Sequence, residues 1–432
     1  MKIVLKGGHV IDPSQGIDGM MDVLIRDDRI EKLAPEISEA ADETVDVSGC
    51  LVVPGLIDMH VHLREPGFEH KETIKTGSMA AARGGFTSIC PMPNTKPVID
   101  SPEMVRWILE KAEKEAVVHI LPVGAVTKGQ MGSETADITG MAKAGAVAIS
   151  EDGKSVMNTE VYRQGMVLAK EAGIPVLAHC EDRYLVKDGA LNAGPAAQKI
   201  GVTGIDNAVE DIIASRDILL SKETGCRLHL CHCSTKDSVR MVKEARADGL
   251  AVSGEVCPHH FTLTQDDIPG DDANYKMNPP LRSQADKAAL VDGLCSDVME
   301  VISTDHAPHH ADEKAKGIAK APFGIVGLET SVALTMTELV HTGKMTPVQM
   351  VEHMSTAPAR ILGIDKGSLK PGKMADITII DPEAEYEICA ADFVSKGKNT
   401  PFDGKKVKGR VTHTFVAGKC VYKYKKTEED RR

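Results

Sequence analysis

Between residue 50 and about residue 363, short apolar segments alternate with amphipathic segments, and this alternation constrains the fold more than any other feature of the sequence. The amphipathic segments, such as 102–114 and 160–171, have helical periodicity, and several are followed by a glycine. Eight strands that alternate with helices over roughly 300 residues are typical of a closed (β/α)8 barrel of the TIM type, an α/β fold. An open doubly wound sheet is the alternative, but no GxGxxG motif follows the first strand. The eight predicted strands are 53–62, 87–91, 117–123, 146–150, 175–179, 227–232, 251–256 and 300–304.

The two ends of the chain have a different pattern, with short extended segments separated by turns and no long helix. We therefore expect both ends to pack together as a small β-sandwich domain beside the barrel. The predicted boundaries are 1–53 for its N-terminal part, 54–363 for the barrel and 364–432 for its C-terminal part.

Composition excludes several classes of protein. The net charge of −12 over 432 residues makes the chain a poor binder of nucleic acid. No apolar stretch approaches the roughly 18–20 residues that a membrane-spanning helix needs, and the start of the chain does not resemble a signal peptide. Ten scattered cysteines without CxxC pairs are expected to be reduced thiols in a cytoplasmic protein.

Histidines and carboxylates fall where the predicted strands end, which is the face of a barrel that carries its chemistry. His60 and His62 are two residues apart in the first strand, so their side chains point to the same side. So many ionisable groups in one buried mouth predict a bound metal, because buried charges need partners. Imidazole with carboxylate suits Zn²⁺, and Mn²⁺, Co²⁺ or Fe²⁺ are possible substitutes. More ligands than one tetrahedral ion needs predict two ions. The candidates on the other strands are Glu151 and Asp152, His179, His232 and Asp305.

Two motifs resemble those of one enzyme family. Residues 58–67 read DMHVHLREPG, and residues 303–309 read STDHAPH. Together they are similar to the two signatures of dihydroorotases, of the bacterial class I type, within the amidohydrolase superfamily. Ser303 stands where glycine or alanine is more usual, and the resemblance extends over essentially the whole chain.

The resemblance implies a metal-ligand set with two zinc ions per subunit. His60 and His62 would bind the more buried zinc together with Asp305. His179 and His232 would bind the second zinc, and Asp152 would bridge both ions. Hydantoinases use a carboxylated lysine at this strand, so Lys154 is kept as an alternative bridge.

The resemblance also implies a reaction, the reversible cyclisation of N-carbamoyl-L-aspartate to L-dihydroorotate in de novo pyrimidine (UMP) biosynthesis. The expected nucleophile is a hydroxide that bridges the metals, with Asp305 as general base and then general acid. Arg64 can bind the substrate carboxylate bidentately. The remaining implied substrate contacts are His62, Asn94, Asn278, His309, Phe323 and Gly324.

Two other functions are compatible with parts of the sequence. A hydantoinase or allantoinase would act on a related cyclic amide, but Arg64 and the carboxylate at Asp152 favour the dihydroorotase. A metal-free barrel that serves as a scaffold for another pyrimidine enzyme is a second alternative, although such proteins lose metal ligands and all six positions are filled here. The resemblance further suggests a small-molecule substrate, a homodimer and a transcarbamoylase partner. Net charge and the shortness of the apolar stretches predict that neither nucleic acid nor a membrane is bound.

Overall fold

The computed structural model describes residues 1–425, so the last seven residues of the predicted C-terminal segment lie outside it. The strands in this part are β1 (Lys2–Asp12), β2 (Ile17–Arg26), β3 (Arg29–Ala34), β4 (Glu43–Asp46), β5 (Leu51–Pro54), β6 (Leu56–Val61), β7 (Phe86–Pro91), β8 (His119–Ile120), β9 (Val123–Ala125), β10 (Ala148–Ser150), β11 (Val176–Ala178), β12 (Leu191–Asn192), β13 (Gly204–Ile205), β14 (Leu228–Leu230), β15 (Val252–Val256), β16 (Val301–Ile302), β17 (Ile377–Glu387), β18 (Lys406–Val416) and β19 (Lys419–Lys423).

The helices follow barrel strands or lie in the loops between them. They are α1 (Ile74–Arg83), α2 (Pro102–Glu115), α3 (Ile138–Ala144), α4 (Thr159–Ala172), α5 (Pro195–Ile200), α6 (Ala208–Thr224), α7 (Lys236–Ala247), α8 (Pro258–Thr262), α9 (Gln284–Cys295), α10 (Ala311–Lys314), α11 (Gly317–Lys320), α12 (Ser331–Thr335), α13 (Pro347–Val351) and α14 (Ala357–Leu362). Ser101 and Thr235 cap α2 and α7 with their hydroxyl oxygens, and Gly173 ends α4 in the left-handed conformation. Within the described residues, no helix is long and apolar enough to cross a membrane.

Parallel strands form the barrel in two hydrogen-bonded runs. One run is β6-β7-β8 and the other is β9-β10-β11-β14-β15-β16. A parallel bridge between Val61 and His306 joins the first strand to the segment after the last one, and the backbone N–H of His62 donates to the His306 carbonyl at 2.8 Å. The predicted (β/α)8 barrel is therefore confirmed.

Both chain ends build the β domain, as predicted. The sheet order is β19-β18-β17-β5-β1-β2-β3, with β4 paired to β1. The antiparallel pairing of β17 with β5 joins the C-terminal strands to the N-terminal ones. Buried side chains, including Leu5, Ile25, Ile377 and Phe415, form a core of this domain separate from the barrel core. The predicted domain boundaries stay a proposal, although the chain does pass from β5 to β6 at Gly55.

Two predicted barrel strands are broken in the structure. The predicted strand 53–62 divides at Gly55, where a Cβ would lie 2.1 Å from Thr87 Oγ1, so only glycine allows the close approach. The predicted third strand, 117–123, divides at Pro122, which has no N–H to donate to a neighbouring strand. Before it β8 pairs with β7, and after it β9 pairs with β10.

Candidate metal centre and substrate pocket

The six predicted metal ligands come together at the carboxyl ends of the barrel strands. Each is at most 6% exposed. They lie at or just after the ends of β6, β10, β11, β14 and β16, where parallel strands direct their last residues to one mouth. The six are His60, His62, Asp152, His179, His232 and Asp305.

Asp152 lies in the centre of this group. Its Oδ1 is 3.2 Å from His60 Nε2, 3.5 Å from His179 Nδ1 and 3.8 Å from His232 Nε2. Its Oδ2 is 3.6 Å from His62 Nε2. One carboxylate thus faces all four imidazoles.

Asp305 closes one side of the group, with Oδ1 3.0 Å from His62 Nε2 and 3.6 Å from His60 Nε2. On the other side, His179 Nδ1 and His232 Nε2 are 2.9 Å apart. Among the described residues, His60, His62 and Asp305 form one group able to hold a metal ion, and His60, Asp152 and His232 form another.

The nitrogen and oxygen atoms of this group are arranged more suitably for binding metal ions than for hydrogen bonding to one another. His60 Nε2 is buried and has no hydrogen-bond partner, although it points into the group. A buried ring nitrogen without a partner is costly, and a cation that accepts its lone pair removes that cost. Imidazole nitrogens with carboxylate oxygens are a donor set suited to zinc and related divalent ions.

Charge within the group keeps both carboxylates ionised. Burial by itself would raise the pKa of Asp152, but His60 and the other imidazoles outweigh burial and hold this pKa well below its usual range. The pKa of Asp305 is likewise lowered, because the hydrogen bond with His62 and the nearby imidazoles outweigh the effect of burial. Both side chains are therefore carboxylates rather than carboxylic acids.

Glu255, a residue that the sequence analysis did not select, orients His60. It lies in β15 beneath the group, with Oε1 3.0 Å from His60 Nδ1 and Oε2 3.0 Å from His229 Nε2. Its Oε1 also accepts the backbone N–H of His232 at 3.1 Å. The imidazoles of His229 and His60 outweigh burial and lower the pKa of Glu255, so its carboxylate is ionised. This carboxylate faces Nδ1 of His60 and leaves Nε2 of the same ring for a metal. A single charged residue within a predicted barrel strand was the available signal.

Arg64 and His309 lie together beside the group. The chain turns after the first barrel strand, because Arg64 has a positive φ of 61°. Its guanidinium nevertheless reaches His309, with Nη2 3.3 Å from His309 Nε2, while Nε donates to the Pro308 carbonyl at 3.2 Å. His309 Nε2 is also 2.8 Å from the Phe323 carbonyl oxygen.

His309 is neutral in this setting. Burial, together with the positive charges of Arg64, Lys71 and Lys314, lowers the pKa of His309 to about 2. The pocket thus presents a permanent cation next to a neutral imidazole, an arrangement that suits a carboxylate ligand.

The other predicted substrate contacts surround the same group. Asn94 Oδ1 is 3.0 Å from His62 Nδ1, and Asn94 Nδ2 donates to Asp152 Oδ2 at 2.9 Å. Asn278 donates to the carboxylate of Glu181, which the sequence analysis did not select, although it follows His179 by only two residues. Gly324 has a φ of 123°, and a Cβ there would lie 2.5 Å from Ala307 Cβ.

Comparison with known proteins gives one consistent answer. The family model described as "Dihydro-orotase-like" matches residues 49–238. A dihydroorotase of Pelotomaculum thermopropionicum is 49% identical over 421 residues, 98% of each chain. One of Citrifermentans bemidjiense is 48% identical over 427 residues, 98% of this chain and 100% of the relative.

Solved structures of related enzymes have the same fold. An L-hydantoinase (dihydropyrimidinase) from Arthrobacter aurescens is 27% identical, with a TM-score of 0.86 over 98% of this chain and 96% of that one. A dihydropyrimidinase from Brevibacillus agri is 26% identical, with a TM-score of 0.84 over 98% and 95%. Because the two dihydroorotases are 48–49% identical to this chain along nearly their full length, the protein belongs to the dihydroorotase family.

Proposed function

We propose that this protein is a dihydroorotase, a cyclic amide hydrolase that catalyses the reversible cyclisation of N-carbamoyl-L-aspartate to L-dihydroorotate in de novo pyrimidine biosynthesis. The observation that carries the proposal is one buried mouth in which a candidate metal centre adjoins the Arg64–His309 pair. The centre suits attack on an amide carbonyl, and the pair suits a substrate carboxylate. Dihydroorotate carries both groups.

The proposed cofactor is two zinc ions per subunit. His60, His62 and Asp305 would hold one ion, and His179 and His232 the other. When bound, the ions would supply a hydroxide at neutral pH and polarise the substrate carbonyl. We assign the bridging role to Asp152 rather than to a carboxylated Lys154, because the carboxylate of Asp152 already faces all four imidazoles.

Asp305 is the proposed general base and acid. Its carboxylate is ionised and lies 3.0 Å from His62 Nε2, at the edge of the centre. In ring opening it takes the proton of the attacking group and delivers it to the amide nitrogen that leaves. In ring closure the same carboxylate carries the proton in the opposite direction.

Substrate orientation is assigned to groups around the centre. Arg64, Asn94 and His309 would bind the carboxylate, and Asn278 would contact the ring amide. The backbone of Phe323 and Gly324 would close the far side. Asn94 also bonds His62 and Asp152, so it would share these contacts with the substrate or exchange them for it.

The direct test measures activity and metal together. Purified protein is assayed for hydrolysis of L-dihydroorotate and of an alkyl hydantoin, and its zinc is counted after purification without chelator. We expect turnover of dihydroorotate only, about two zinc ions per chain, and loss of activity on chelation that zinc restores. Turnover of the hydantoin alone would favour a hydantoinase. Zinc-free protein without activity would favour the scaffold.

We propose a homodimer, which sedimentation of the purified protein tests, and association with a transcarbamoylase, which co-purification tests. The predicted cytoplasmic location stays a prediction.

A further inference from the structure

The segment 394–400, which lies between β17 and β18 and thus far along the chain from the barrel strands, reaches back to the substrate pocket. The backbone N–H groups of Val394 and Ser395 donate to the Glu329 carboxylate at 2.9–3.0 Å. The Ser395 hydroxyl donates to Glu72 Oε2 at 2.5 Å, and Lys396 Nζ donates to the Glu69 carbonyl. The segment is thereby fastened to the loop that follows Arg64.

Asn399 occupies the end of this segment nearest to the pocket. It is 5% exposed, and its amide group makes three hydrogen bonds. Oδ1 accepts the backbone N–H of His309 at 3.0 Å. Nδ2 donates to the Ala307 carbonyl at 3.1 Å and to the Gly324 carbonyl at 3.0 Å. One side chain therefore joins two separate loops.

These contacts fix the two loops that carry the proposed substrate groups. The backbone of Asn399 adds a further bond, because its carbonyl accepts the N–H of Val326 at 2.9 Å. Lys314 Nζ donates to the same Gly324 carbonyl at 2.9 Å, so both lone pairs of that oxygen have donors. An amide that both accepts and donates suits this place, whereas a carboxylate would oppose two carbonyl oxygens.

We infer that Asn399 is a positioning residue for the substrate pocket: by joining the 307–309 loop to the 324–326 loop, it holds His309 where it meets the substrate carboxylate and holds the Gly324 backbone where it closes the far side. The inference rests on the proposed function. The hydrogen bonds of Asn399 in the described part of the chain go to neither the metal ligands nor Arg64, so its effect is on substrate binding rather than on the chemistry at the metals.

The test uses the full-length zinc enzyme with two variants, Asn399→Ala and Asn399→Asp. The first removes all three bonds of the amide. The second keeps the shape and the acceptor for the His309 N–H but replaces the donor that faces two carbonyls. We expect KM for dihydroorotate to rise between about tenfold and a hundredfold in both variants, with a smaller change in kcat and unchanged zinc content.

Asn192→Ala is the matched control. Asn192 is 6% exposed and makes hydrogen bonds with Ala193, Gln265 and Arg282, none of which belongs to the two pocket loops. It should lower the melting temperature without raising KM.

The results distinguish a failure of the positioning role of Asn399 from a failure of the proposed function. An active wild type whose KM is unchanged in both Asn399 variants overturns the inference, as does a fall in melting temperature and kcat without a rise in KM. A wild type that does not hydrolyse dihydroorotate refutes the proposed function, and with it this inference.

Discussion

Replacing Arg64 with methionine tests the link between pocket and substrate most directly. Methionine keeps much of the length of the side chain but removes the charge and all five N–H donors. The backbone at this position has a φ of 61° in the wild type, and any strain there is similar for both side chains. The substitution therefore isolates the guanidinium.

The expected magnitude follows from the contacts. Nε already donates to the Pro308 carbonyl, and the terminal nitrogens near His309 are left for a carboxylate. Two hydrogen bonds to a charged group contribute about 1.5–3 kcal/mol each, or about 3–6 kcal/mol together. Since about 1.4 kcal/mol corresponds to tenfold, kcat/KM should fall between about a hundredfold and ten-thousandfold. Arg64 is only partly buried, so we expect the lower end.

The assay compares two cyclic amides, L-dihydroorotate and dihydrouracil, which has the same ring without the carboxylate. In Arg64→Met, kcat/KM should fall about a hundredfold for the first and less than about threefold for the second. Arg64→Lys, which keeps the charge but loses the planar fork, should lie between wild type and methionine. An equal loss on both substrates would refute the assignment of Arg64 to the carboxylate.

The amide in Asp305→Asn cannot accept a proton, so we expect kcat to fall at least about a thousandfold while part of the zinc is retained. Steady-state kinetics and metal analysis measure the two quantities. Near-normal turnover would refute the proposed role of Asp305. Glu255→Gln removes the charged acceptor of His60 Nδ1–H, so zinc binding should weaken about tenfold to a hundredfold, measured by competition with a chelator. An unchanged dissociation constant for zinc would contradict the orienting role of Glu255. Burial lowers the pKa of Lys314 from 10.5 to about 7, so between those pH values the unfolded chain binds more protons and wild-type stability rises with pH. Lys314→Met lacks this pH-dependent contribution to stability, so the difference in melting temperature between wild type and variant should increase from pH 7 to pH 9. If the melting temperatures of the two proteins change in parallel with pH, the lowered pKa of Lys314 is refuted.

Much of the fold follows from local patterns. Strand-length apolar runs that alternate with amphipathic helices predict the barrel, because each pattern reports which face of an element is buried. Helix bounds are close to those predicted, with 102–114 found as Pro102–Glu115 and 160–171 as Thr159–Ala172. The breaks at Gly55 and Pro122 were missed, since one depends on a contact with Thr87 and the other on which neighbour each half-strand pairs with.

By itself, the sequence determined the barrel, the β domain formed by both ends, and the set of histidines and carboxylates at the strand ends, because strand periodicity and strand direction send those side chains to one mouth. Only the tertiary structure decided that Glu255 lies beneath His60 and that Asn399 joins two pocket loops. Such contacts link residues that are far apart along the chain. They depend on how packed elements meet, which no local periodicity records.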